Sequence, residues 1–132
     1  MSAFQGRHVG YLEGLRYQGR EGMLAWALHR ITGLGILFFV GTHVIAAFFM
    51  HSIGGDISTA ITTIYESTPM QIFVYFCVLY HALNGLRVVV EDFWPPLLRF
   101  HRELLWFQWF VFLPVFGLPA FLMLMSFLSG GK

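Results

Sequence analysis

Three long apolar runs alternate with short polar segments along this chain. A helix needs about 20 mostly apolar residues to cross the hydrocarbon core of a bilayer. Each run reaches that length, so we predict three transmembrane helices, at about 23–50, 69–92 and 103–128. The chain is then a single membrane domain over 1–132. Its first 22 residues are polar and Gly-rich, and we expect no cleavable signal peptide there.

Composition supports the same class. Hydrophobic residues make up 57% of the chain and charged residues only 11%, whereas a soluble domain carries about 25% charged residues. We therefore predict an all-α integral membrane fold. The net charge is +1 without a basic block, so no nucleic-acid partner is expected. The single cysteine, Cys77, lies inside an apolar run, which excludes a disulfide framework or a paired-cysteine metal site.

The distribution of arginines predicts an orientation. The connection between the first two apolar runs, 51–69, carries two acidic residues and no Lys or Arg. Arginines lie instead in the N-terminal segment and in the second connection: Arg7, Arg16, Arg20, Arg30, Arg99 and Arg102. The positive-inside rule then places the N-terminus in the cytoplasm and the C-terminus outside.

His81 is an ionisable residue near the centre of the second apolar run. Such a residue costs a few kcal/mol or more at bilayer depth, and it persists when a partner offsets that cost. For neutral imidazole the usual partner is a metal, and in a membrane this is often haem iron. Gly85 lies on the same face and leaves room for a porphyrin, while Arg87 is in range of a haem propionate. Asp92 continues the stripe, and the pattern predicts electron transfer.

The first apolar run repeats this pattern. His29 and Arg30 stand at its start, and His43 follows on roughly the same helix face as His29. Counted from the outer ends of the two runs, His43 lies about 6 Å closer to the outside than His81. If Arg30 and Asp92 are instead level at the cytoplasmic side, the two histidines differ in depth by only about 3 Å. That estimate leaves open one haem that both histidines approach.

Each of these residues also has a plainer interpretation. A histidine within the membrane can simply hydrogen-bond a neighbouring helix. Gly33 and Gly85 suit close helix packing in lipid, and Arg87 on its own suits a side chain that extends towards the membrane surface. We expect Glu91 to be solvated, and His101 to be interfacial without a ligand role.

Two motifs carry a resemblance to a known family. The sequence His29-Arg-Ile-Thr-Gly33 opens the first helix, and His81-Ala-Leu-Asn-Gly-Leu-Arg87 is followed by Asp92. Over about 26–128 the chain resembles the cytochrome b membrane-anchor subunit of succinate dehydrogenase. This enzyme is also called succinate:quinone oxidoreductase or respiratory complex II, a component of the tricarboxylic acid cycle.

The resemblance implies partners and a location. A second membrane-anchor subunit would complete the helix bundle in the lipid bilayer, and an iron–sulfur subunit and a flavoprotein subunit would dock on it. The location implied is the cytoplasmic, or inner, membrane of a prokaryote. The resemblance also implies haem b as cofactor and quinone as substrate.

Site residues are implied in the same way. His81 matches the axial haem ligand, and His43 resembles a second ligand found in two-haem anchors. The resemblance therefore favours two haems over one, shared with the partner anchor subunit, with His43 and His81 as separate iron ligands. His29 and Arg30 match the quinone and propionate positions, with Arg87 and Asp92 nearby. Many family members carry a quinone-contacting Ser where this chain has Trp26. That aromatic ring would form a wall of the pocket, and either Thr32 or a partner-chain group would replace the hydroxyl.

The function expected is that of a haem b-binding anchor that carries electrons from the iron–sulfur subunit to quinone. The chain itself has no catalytic residues for dicarboxylate chemistry. The alternatives are the anchor of a quinol:fumarate reductase, a haem-free membrane scaffold, and a small transporter subunit. Against the transporter alternative, this chain lacks the broken helices and the inverted repeat that transporters show.

Overall fold

Helices make up nearly all of the described part of the protein. The computed structural model describes residues 21–53 and 55–130, so residues 1–20 of the predicted cytoplasmic segment lie outside it. The elements are α1 (Glu21–Ile53), α2 (Asp56–Glu66), α3 (Thr68–Phe93), a 3-10 helix (Pro95–Phe100) and α4 (His101–Leu128). Three segments are long and apolar enough to cross a membrane: Gly22–Phe49, Thr68–Phe93 and Pro95–Leu128. The predicted all-α membrane fold with three spans is confirmed.

The first connection contains more regular structure than its composition suggested. Helix α2 occupies most of it and packs against α1 through Tyr65. The Tyr65 hydroxyl shares a hydrogen bond with the Thr42 hydroxyl, and the Tyr65 ring meets the edge of Phe39 at 4.9 Å between centroids. Helix α2 therefore covers the C-terminal half of α1.

Small residues let α1 and α3 run close together in opposite directions. A Cβ atom placed on Gly35 would lie 3.0 Å from the Cys77 Sγ, and one on Gly33 would lie 3.0 Å from Cε1 of His81. Residues with small side chains permit such close approach of helices in lipid. The contacts fix the register, because residues 33 and 35 of α1 lie opposite residues 81 and 77 of α3.

Aromatic rings fill the space between α3 and α4. Tyr80 is fully buried, at 0% exposure. Its ring lies 5.5 Å from Trp109 and 5.6 Å from Phe112, which in turn stacks on Phe116 at 5.3 Å. Edge-to-face and offset ring pairs of this kind add to the stabilisation from burial. This aromatic cluster forms the hydrophobic core between α3 and α4.

Helix α4 runs unbroken through two prolines, Pro114 and Pro119. A proline has no N–H, so the carbonyl four residues earlier loses its usual donor. For Pro119 that carbonyl belongs to Val115. The Tyr75 hydroxyl of α3 donates a hydrogen bond of 2.6 Å to it. A neighbouring helix thus replaces the missing donor, as membrane proteins commonly require.

The outward faces of the bundle are strongly apolar. Large side chains on them are mostly exposed, including Leu34, Leu37 and Phe38 of α1 and Phe110, Leu113 and Leu118 of α4. Apolar surface of this extent is covered by lipid or by other chains.

We expect Tyr75→Phe to lower the stability of the protein by about 0.6–1.7 kcal/mol, the range for hydrogen bonds between membrane helices. The substitution keeps the ring that stacks on Phe116 and removes only the hydroxyl. In a Pro119→Ala background the new N–H would satisfy Val115, so the same substitution should cost almost nothing. Thermal unfolding of the purified protein measures both, and equal costs in the two backgrounds would contradict this account.

Candidate functional site

The His81 imidazole lies in the contact between α3 and α1. Its ring stacks on that of His29, with centroids 4.0 Å apart and planes 8° apart. Its Nδ1 lies 3.1 Å from the His29 backbone oxygen. A carbonyl oxygen accepts only, so Nδ1 carries the proton and donates. The neutral ring then has its lone pair on Nε2, the arrangement that a metal-ligating histidine needs.

Two glycines make room for this histidine pair. Gly33 faces His81, where an added Cβ would lie 3.0 Å from Cε1 and 3.3 Å from Nδ1. Gly85 faces His29 across the same contact, with 3.6 Å to its Cε1. The first space is tight and the second is an ordinary van der Waals distance. Gly33 therefore constrains the His81 ring more strongly than Gly85 constrains His29.

A buried polar cluster continues from this pair along α3. Arg87 donates to Asn84 Oδ1 over 3.0 Å and lies 3.6 Å from Glu91 Oε1, with both charged side chains only 8% exposed. Glu91 also accepts from His101 Nδ1 of α4 at 3.0 Å. The expectation that Glu91 is solvated is wrong. It failed because Glu91 faces α4, so that the Arg87 guanidinium and the His101 imidazole contact its carboxylate in place of water.

Two nitrogens beside this cluster are buried without a hydrogen-bond partner, His29 Nδ1 and Arg87 Nε. His29 faces Gly85 of α3, and Arg87 lies two residues further along the same helix. Buried donors are normally satisfied. An acidic group of a ligand would satisfy either nitrogen, which is the chemistry predicted for a haem propionate.

Arg30 and Trp26 form a separate pair on the exposed side of α1. The Arg30 guanidinium lies over the Trp26 ring at 4.1 Å from its centroid, and 54% of Trp26 is exposed. This cation–π contact orients the arginine on a face open to lipid or to another chain. Thr32 does not share that face: it is buried, and its hydroxyl donates to the Leu28 carbonyl at 2.7 Å. Thr32 is therefore unsuited to replace the family's Ser hydroxyl.

Asp92 stands apart from the buried cluster. It is exposed in the last turn of α3, although its neighbour Glu91 is buried. Sequence reasoning followed the stripe that runs from His81 through Gly85 to Asp92. The polar residues that face the bundle interior occupy the adjacent stripe: Tyr80, Asn84, Arg87 and Glu91.

Asn84, Glu91 and His101 were the site residues that the sequence-based prediction missed. A signal for the first two was present, because Asn84, Arg87 and Glu91 recur at helical spacing and therefore share one face. His101 carried no comparable signal. Its contact with Glu91 arises only from the short 3-10 segment that folds α4 back onto α3.

His43 lies in a different part of the bundle. It is exposed beside a cavity of about 190 Å³ whose lining also includes Phe39, Tyr65 and Gln71. The Tyr65 ring meets the imidazole edge at 5.5 Å. The cavity lies where α2 covers α1, at the opposite end of α1 from Arg30.

The estimate that His43 and His81 share nearly one depth is wrong. His81 packs against Gly33, and His43 lies ten residues further along α1, which is about 15 Å of helix rise. The estimate took Arg30 and Asp92 as level. The register instead places His29 opposite Gly85, seven residues before Asp92. At that separation the two histidines cannot bind the same haem iron.

Within residues 21–53 and 55–130, no three His, Cys, Asp or Glu side chains gather into a metal site.

Comparison with known proteins identifies the family. Residues 12–118 match the model of the succinate dehydrogenase/fumarate reductase transmembrane subunit. The chain belongs to this family. It is also 37% identical over 100 residues to the succinate dehydrogenase 2 membrane subunit SdhC of Mycobacterium tuberculosis, an alignment that covers 74% of this chain and 73% of that protein. The resemblance inferred from the motifs at His29 and His81 is confirmed.

Membership of the succinate dehydrogenase/fumarate reductase family gives the bundle its setting. The chain is a membrane subunit of such a complex, so part of its exposed apolar surface contacts lipid and part contacts other subunits. The polar residues described above are then the groups that this subunit offers within the membrane.

We expect Arg87→Leu to destabilise the complex by about 3–5 kcal/mol, because it leaves the buried Glu91 carboxylate without its cationic partner. Adding Glu91→Leu should recover most of the loss. Thermal unfolding of the purified complex measures both, with the exposed Arg99→Leu as a control that changes stability by about 0.5 kcal/mol or less. A double variant no more stable than Arg87→Leu would contradict the buried pair.

Proposed function

We propose that this subunit binds haem b through His81 and carries electrons from an iron–sulfur subunit to quinone. The observation that carries the proposal is the hydrogen bond from His81 Nδ1 to the His29 carbonyl oxygen. It fixes the ring in the tautomer whose Nε2 is a ligand and holds the ring in one orientation. Nε2 is then the nitrogen available to bind iron.

The residues around His81 fit haem b. Gly33 and Gly85 accommodate the two imidazole rings between the helices, and the unpartnered His29 Nδ1 and Arg87 Nε suit a propionate carboxylate. When bound, haem b supplies a one-electron centre inside the membrane. The protein residues hold it, compensate its acidic groups and exclude water.

Quinone is proposed to bind on the face that Arg30 and Trp26 share. Trp26 offers an apolar wall and orients Arg30, whose permanent charge suits a quinone oxygen. Reduction of a quinone takes up two protons, so a proton donor is needed nearby. Asp92, exposed at the same end of the bundle, is the candidate for that role.

The partners and orientation are proposed on the same basis. A second anchor subunit would supply the other axial ligand and cover an exposed face of the bundle. The iron–sulfur and flavoprotein subunits would dock at the end that carries Arg30. That end is cytoplasmic by the positive-inside rule, in the inner membrane of a prokaryote with the C-terminus outside.

A second haem at His43 is supported by a specific observation. His43 is about 15 Å of helix rise from the residues that contact His81, and it borders its own cavity beside Tyr65. We therefore propose that, where both histidines ligate iron, they serve two haems. The partner subunit would supply the opposite ligands.

Two alternatives have different signatures. The anchor of a quinol:fumarate reductase would use the same residues with electrons moving in reverse, and the physiological quinone distinguishes it. A haem-free scaffold would use the His29–His81 stack only to join α1 to α3. A visible spectrum distinguishes the scaffold at once.

We expect the purified complex to show the reduced-minus-oxidised spectrum of haem b, with two haems per complex. His81→Ala should remove one haem because it deletes an iron ligand, and His43→Ala should remove the other. Haem quantification on wild type and both variants is the measurement. Loss of haem only with His81→Ala would make His43 a packing residue, and a colourless wild-type complex would overturn the haem proposal.

Gly33→Ala is expected to lower the haem content far more than Gly85→Ala. The new methyl at Gly33 would lie 3.0 Å from His81, which forces the imidazole to move, whereas the methyl at Gly85 would lie 3.6 Å from His29. Haem per complex, measured for both variants at equal protein concentration, is the readout. Equal losses would show that crowding of the helices, rather than the His81 ring, controls binding.

A further inference from the structure

Three side chains form a ring at the end of the bundle where α3 meets α4. Glu91 Oε1 lies 3.0 Å from His101 Nδ1 and 3.6 Å from Arg87 Nη1. His101 Nε2 lies 3.5 Å from the same Arg87 nitrogen, and Arg87 Nη2 donates to Asn84. Both terminal nitrogens of the guanidinium are therefore engaged by protein groups, and Nε is the one left unpartnered.

We propose that Glu91 is a positioning residue, which holds Arg87 so that its Nε faces the acidic edge of the haem bound at His81. The inference rests on the proposed haem function. Glu91 lies four residues nearer than Arg87 to the end of α3, and Asn84 lies three residues to the other side. Together they hold Nη1 and Nη2 of the guanidinium, which fixes its orientation and leaves Nε for another acceptor.

His101 holds Glu91 in turn. Its neutral form with the proton on Nδ1 satisfies both neighbours, since Nδ1–H donates to Glu91 and the Nε2 lone pair faces Arg87. His101 is the first residue of α4, and its side chain is 43% exposed. The cluster of Glu91, His101 and Arg87 thus ties the start of α4 to α3. Within it, His101 holds the Glu91 carboxylate, and Glu91 holds Arg87.

The test is the rate at which haem leaves the intact complex for excess apomyoglobin, followed by visible absorbance. Glu91→Ala should speed haem loss about tenfold, the effect of losing one charge-assisted hydrogen bond. Glu91→Gln should speed it only about threefold, because the amide oxygen remains as an acceptor for Arg87 and His101. The matched control is Glu103→Ala, an exposed carboxylate at the same end of the bundle, with an unchanged rate.

A double-mutant cycle separates positioning from general damage. If Glu91 acts through Arg87, Glu91→Ala adds nothing to the rate in an Arg87→Gln background. If the two accelerations multiply, Glu91 acts independently and the proposal is overturned. His101→Ala should speed haem loss less than Glu91→Ala does, and it should likewise add nothing in the Arg87→Gln background. If the Glu91→Ala complex does not assemble, His101→Ala and Glu91→Gln take its place in the cycle.

The outcomes also separate this inference from the proposed function. Haem present in the wild type, with equal loss rates for wild type and Glu91→Ala, overturns the positioning role and leaves the haem function intact. A wild-type complex without haem overturns both.

Discussion

The close approach of α1 and α3 is the constraint on which the rest of the structure depends. It exists because Gly33 and Gly35 present no side chain to His81 and Cys77. Only at this separation does the His81 ring stack on His29 and reach its carbonyl oxygen. The tautomer of His81 and the register of α1 against α3 follow from one pair of small residues.

Much of this fold was predictable from the sequence for a simple physical reason. A bilayer demands long apolar runs, so the three spans stood out by length alone. His81 stood out because an ionisable side chain in such a run needs compensation. The contacts of Gly33 with His81 and of Gly85 with His29 were not predicted, because spacing within one helix does not show which residues of another helix it faces.

The remainder depends on which face of α3 turns inward, and that is decided by packing between helices. A rotation of about 100°, one residue on a helix, separates the stripe with Asp92 from the stripe with Arg87 and Glu91. Periodicity shows that both stripes exist and does not choose between them. The depth of His43 was misjudged similarly, because helix ends on different spans need not be level. What binds at the face that bears Arg30 depends on other subunits, and their contacts cannot be predicted from this sequence.

Cys77 gives the α1–α3 contact an observable of its own. It is the single cysteine of the chain, it is 3% exposed, and it is covered where Gly35 faces it. A thiol reagent meets this sulfur only when the two helices part. The rate at which a thiol reagent alkylates Cys77 in the native protein therefore reports how often α1 and α3 separate. No engineered label is needed for that measurement.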